Sequence, residues 1–166
     1  MLDTDIALAS AGSLSVAVIA IFFFVFQGWI YLKGPAFSWS KWGAVLALAT
    51  AIYSASVFIQ FNSGPGPINH LAELFQYTTF IILLHGIYGF TFAYLAIKPP
   101  NYRHFVTAFH AVLLILLWTT NLVITDDFVN RSFMLLQTPY IEPKLGVLGP
   151  FFLAYSALGA TLCLAY

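Results

Sequence analysis

Between Asp5 and Lys33 the chain reads IALASAGSLSVAVIAIFFFVFQGWIYL, without a single charged side chain. A helix needs about 20 apolar residues to cross the hydrocarbon of a bilayer. A cleaved secretion signal has a positive start and a shorter apolar run. Asp3 and Asp5 stand where that positive charge would be, so the segment reads as a retained membrane helix. The rest of the chain has the same character. Of its 166 residues 61% are hydrophobic and 7% charged, where a soluble domain carries about 25% charged residues. The mean hydropathy is +0.89. So few charges cannot cover a water-facing surface, and the chain reads as an integral membrane protein. Its zero net charge gives no basic face for nucleic acid. The lone Cys163 has no disulfide partner, and no Cys/His spacing fits zinc; it reads as a small residue facing protein or lipid.

Breakers divide the chain into five expected spans, 8–32, 42–61, 69–97, 104–124 and 147–166. KGPAFSWSK closes the first and NSGPGP the second, through glycine freedom and proline's missing donor. Asn69 is a good cap for the third, and KPPNYR ends it. The long connection 125–146 is expected as a loop or short helix over the outer mouth, with apolar Phe128, Phe133, Met134, Leu135 and Leu136, or as a segment dipping into lipid. Orientation follows the basic residues. Lys33, Lys41, Lys98 and Arg103 flank the first and third connections, whereas Arg131 and Lys144 lie in the fourth among Asp126, Asp127 and Glu142. The fold class is therefore an all-α integral membrane bundle of five transmembrane helices, N-terminus out and C-terminus in, forming one domain over 1–166. The last span has no basic anchor after it, which raises the expectation that the natural chain continues into the cytoplasm.

Polar groups inside such a bundle carry the functional signal. His70, Glu73 and Tyr77 share one helical face by their spacing, with Gln76 beside them. They read either as an ordinary first turn in the headgroup region, where the helix dipole favours Glu73, or as the polar rim of a pocket. His85 lies near mid-bilayer, followed by Gly86 and Gly89, which permit close helix approach. A neutral imidazole bonded to a neighbouring helix accounts for it, as does a ligand-facing, proton-sensing or metal-binding group. Thr119, Thr120 and Asn121 form a polar band at the outer end of the fourth span, at the depth of Glu73. A bis-histidine haem would need two facing imidazoles at one depth. At 1.5 Å per residue His85 stands about 18 Å, and His110 about 10 Å, from the inner ends of the expected spans, an offset that disfavours the pair. No Gly-x-Ser-x-Gly, P-loop, dinucleotide fingerprint or paired carboxylates within a span occur, and no inverted repeat marks a transporter.

From residue 69 onward the pattern LAELFQYTTFIILLHGIYGFTFAY, then WTTN (Trp118–Asn121), then a polar-aromatic outer loop and LGVLGPFFLAY resembles the N-terminal membrane input region of bacterial sensor histidine kinases. Five spans are fewer than the commonest members carry, and five-span input regions of this class include ones resembling receptors for fatty-acid-like diffusible signals. The resemblance implies an inner-membrane sensor and a transmitter kinase domain beyond Tyr166. It also implies homodimerisation, signalling to a response regulator, and no catalytic residue, metal or cofactor in this chain. The expected ligand is small and amphipathic. Its contacts are expected at Glu73, Gln76, Tyr77, His85, Asn121 and Arg131, with its tail against Phe80, Ile81 and Leu84. The alternatives are a haem-binding or other redox subunit, and a small transporter or assembly subunit.

Overall fold

The computed structural model describes residues 4–34, 38–96, 103–132 and 139–164. In chain order it forms α1 (Thr4–Lys33), α2 (Ser38–Asn62), α3 (Pro67–Tyr94), α4 (Arg103–Thr119), β1 (Ile124–Ser132), β2 (Pro139–Leu145) and α5 (Gly149–Leu164). The chain is mostly helical, and α1 and α2 are long and apolar enough to cross a membrane. α3 has the length, 28 residues, but Glu73, Gln76 and His85 dilute its apolar character. α4 has 17 residues and so rises about 26 Å, slightly less than the roughly 30 Å of hydrocarbon in a bilayer.

The helix ends follow local chemistry. Lys33 closes α1, a cation at the negative end of the dipole. Pro67 opens α3, at a position where a missing N–H costs nothing. Gly66 before it has φ 153°, a conformation that a side chain would strain, and its carbonyl accepts the His70 N–H at 3.1 Å. α3 ends at Tyr94, short of the expected 97, and Ala96 turns the chain through a left-handed φ of 54°.

α4 stops at Thr119 rather than 124. The hydroxyls of Thr119 and Thr120 donate back to the carbonyls of Ile115 and Leu116 at 2.7 and 2.6 Å, which weakens the last turn. The connection to α5 is neither the expected loop nor a helix but an antiparallel hairpin. Phe128 pairs with Pro143, Val129 with Glu142, Asn130 with Ile141 and Arg131 with Tyr140, and an irregularity precedes the Ile124–Leu145 pair. The β-branched and aromatic residues of both strands favour this form. A two-stranded ribbon also tolerates Pro139 and Pro143, because each strand keeps an outer edge. Residues 133–136, expected to be an apolar part of this connection, lie outside the described residues. Gly146 and Leu148 then donate to Val123 and Leu122 carbonyls at 2.9 and 2.7 Å. A side chain at Gly146 would run into the Leu122 carbonyl, so only glycine lets the chain return this closely.

α1 packs on α2 and α2 on α3, while α4, α5 and the hairpin lean on α3. α1 and α2 bury small residues, Ala17, Ala20, Ala44 and Ala51 among them, which is how helices approach closely in lipid. The main core joins Leu74, Tyr77 and Ile81 of α3 to Leu117 of α4, Val123 and Ile124 at the hairpin base, and Phe152 of α5. It therefore occupies the half of the bundle beneath the hairpin. The opposite half holds open volume.

Candidate functional site

Two separate polar clusters interrupt the apolar interior. In the first, beneath the hairpin, the Gln60 amide of α2 donates to a Glu73 carboxylate oxygen at 2.5 Å. Its carbonyl oxygen accepts the Gln76 amide at 2.8 Å. All three side chains are buried, so one glutamine ties α2 to two successive turns of α3. Gln60 was not foreseen; its only signal was a lone amide in the apolar stretch 42–61. Tyr77 turns instead into the core, its ring 5.0 Å from that of Phe152. Ile81 and Leu84 are buried core residues, while Phe80 is exposed and packs on Tyr53 at 5.3 Å.

Asn121 does not join this cluster. It is exposed and donates to Asp126 at 2.9 Å, and Asp126 stands 4.0 Å from His70, one turn above Glu73. Arg131 pairs with Tyr140 through its backbone in β1, and its side chain lies outside the described residues. A further residue anchors the hairpin: Asn69, fully buried, donates to the Ile141 carbonyl at 3.1 Å.

The second cluster is built on His85. Its Nδ1 lies 3.3 Å from Nδ1 of His110 on α4, and His110 Nε2 lies 2.6 Å from Tyr155 Oη on α5. The expected depth offset between the two histidines is therefore absent. With α3 ending at Tyr94, His85 stands about 14 Å from the helix end and His110 about 10 Å from the start of α4, and small tilts close the difference. The chain of three groups can be protonated in two ways. If Tyr155 donates to His110, then His110 carries its proton on Nδ1 and donates to His85. If His85 donates, His110 carries its proton on Nε2 and donates to Tyr155. Each arrangement gives both contacts one donor and one acceptor, so the two bonds are coupled through His110.

Gly86 and Gly89 make room for α2 beside His85. A methyl at Gly86 would come within 2.8 Å of Leu46, and one at Gly89 would enter the Trp42 ring. Trp42 therefore stands edge-on to His85, 5.8 Å between ring centres. Beside them lies a cavity of about 440 Å³ bordered by Trp42, His85, Tyr88, Phe92, Arg103 and His104. A second, of about 220 Å³, lies between His85, His110, Ile81 and Leu114. His85 borders both. Of the six expected site residues, Glu73 and Gln76 are joined through Gln60, while Tyr77, His85, Asn121 and Arg131 fall in four other places.

Among the described residues no group of three or more His, Cys, Asp or Glu side chains is arranged to hold a metal ion. A scan of family models and searches of curated proteins and of solved structures give no match.

Proposed function

We propose that this chain is a five-span membrane bundle, N-terminus out and C-terminus in, that serves as the sensory input domain of a bacterial sensor histidine kinase in the inner membrane. The observation that carries the reading is the His85–His110–Tyr155 chain, which links α3, α4 and α5 through hydrogen-bonding groups in an apolar setting. Within α4 only His110 and Leu117 are buried, and α5 meets the core through Phe152. The position of α5, the last helix before a cytoplasmic transmitter, thus depends on Phe152 at one level and on Tyr155 one turn inward. The Phe152 contact packs α5 against the core, and the Tyr155 hydroxyl adds a polar tie to α4. A small amphipathic signal that binds one arrangement of this polar chain better than another shifts the population of α5 positions, and such differential affinity is the requirement for signalling.

Exposed apolar side chains support the membrane setting. Phe22, Trp29 and Leu32 of α1 are 70%, 61% and 81% exposed, a face suited to lipid. The exposed faces of α4 and α5 serve lipid or a second copy in a homodimer, and the response regulator is reached through the transmitter. The test uses the full-length protein in inverted membrane vesicles, after reading the coding region beyond the Tyr166 codon. Tyr155→Phe and His110→Phe are expected to change autophosphorylation severalfold. A stop codon directly after Tyr166, or unchanged phosphorylation in both variants, overturns the proposal.

The placement of His85 and His110 at one depth also favours a second reading, a haem held between α3 and α4. Direct contact of the rings, at 84° to one another, leaves no gap for a porphyrin between them, so this reading requires the helices to part. A Soret band in the purified protein would establish it.

A further inference from the structure

We propose that the 440 Å³ cavity at the end of the bundle opposite the hairpin binds a diffusible, ring-sized organic anion. Its volume falls within the range of about 300–1,000 Å³ typical of small-molecule pockets. Apolar walls are supplied by Trp42 and Phe92. The mouth is cationic. Arg103, always charged, lines it, and its Nε lies 3.4 Å from Nε2 of the adjacent His104. The planar guanidinium suits a carboxylate. Lys41 Nζ stands 5.9 Å from the centre of the Trp42 ring. α2 and α4 both begin at this end, at Ser38 and Arg103, and α1 and α3 end there, so the helix dipoles offset one another and the side chains set the field. No acid opposes it: α2 and α4 contain none, and the one acid of α3, Glu73, lies at the far end.

Basic residues at a cytoplasmic helix end also serve orientation, but orientation requires neither a cavity nor aromatic walls. The two turns of α4 from Arg103 to His110 span about 10 Å, which sets the length of the ligand. An anionic group at Arg103 leaves a body of one or two fused rings between Trp42 and Phe92. Its far end reaches His85, whose Nδ1 meets His110 and whose Nε2 is the group for a second polar atom. The site deepens the sensory reading, because occupancy at His85 reaches Tyr155 through His110, but binding itself does not depend on it.

The probe is 6-fluoro-2-naphthoate, followed by 19F NMR with the wild-type chain in nanodiscs of zwitterionic lipid. Empty discs and the methyl ester serve as controls. The expected result is saturable binding of one naphthoate per chain, at least tenfold weaker in Arg103→Gln and lost when Ala93→Trp fills the cavity. The ester shows only partition. Arg103 is exposed, so its replacement leaves the bundle intact. Binding no different from empty discs overturns the proposal, as does a saturable site indifferent to both substitutions. Loss of the site in discs of anionic phospholipid, with a lipid headgroup taking the place of the naphthoate, overturns the diffusible-anion assignment. Autophosphorylation of the Tyr155→Phe protein is read without this probe, so an empty cavity and an uncoupled α5 give different results.

Discussion

Replacing Tyr155 by Phe removes one oxygen and keeps the ring. The edge contact with Phe109, 5.1 Å between centres, and that with His110, 5.9 Å, both survive. What is lost is the 2.6 Å bond to His110 Nε2. Hydrogen bonds between helices in membranes contribute about 0.6 kcal/mol on average and about 1.7 at most. At about 1.4 kcal/mol per tenfold, Tyr155→Phe should lower the folding equilibrium constant by about 3- to 16-fold. The assay is unfolding by SDS titration in mixed micelles, followed by far-UV circular dichroism. His110→Phe removes the same bond together with that to His85 and should cost more. The double variant should lose less than the sum of the singles, by about 0.6–1.7 kcal/mol. If the two substitutions instead add within about 0.3 kcal/mol, Tyr155 and His110 are neighbours without a bond and the reasoning is refuted.

Gln60→Leu leaves the buried Glu73 without its donor and the buried Gln76 amide without its acceptor and should cost about 1–3 kcal/mol for each, whereas adding Glu73→Leu should recover only the Glu73 share in the same titration. Asn69→Ala should free the hairpin from α3, raising hydrogen exchange at the β1–β2 amides while leaving exchange in α1 and α2 unchanged. A membrane-impermeant maleimide added to intact cells should label Asp126→Cys and not Arg103→Cys; equal labelling of both would contradict the five-span topology.

The helices were legible because their limits are set locally. Apolar runs ended by Gly34, by the Gly–Pro cluster before Pro67 and by KPPNYR placed the first three helices within four residues, while the fourth was expected to run five residues past Thr119. The hairpin was not legible, because apolar residues in the connection read equally well as loop, helix or strand, and only the two-sided pairing from Phe128 to Pro143 decides. Glu73 and His85 were identified by their cost in an apolar setting, which is a property of one residue. Their partners Gln60, His110 and Tyr155 were not matched to them, since partnership depends on helix rotation and tilt. His110 was placed at the wrong depth because α3 was expected to run to 97. Arg103 and His104 were read only as an anchor, and the volume beside them depends on how α2, α3 and α4 diverge around Trp42, His85 and Phe92, which no local pattern states.

The central claim is that the His85–His110–Tyr155 hydrogen bonds, added to the packing of Phe152, fix α5 against α3. Spin labels at Tyr94→Cys on α3 and Leu158→Cys on α5, in a Cys163→Ala background in nanodiscs, read this distance by pulsed electron paramagnetic resonance. The account predicts one narrow distribution when His110 and Tyr155 are present, and a broadened or displaced one in His110→Phe. Identical distributions in the two proteins would contradict it.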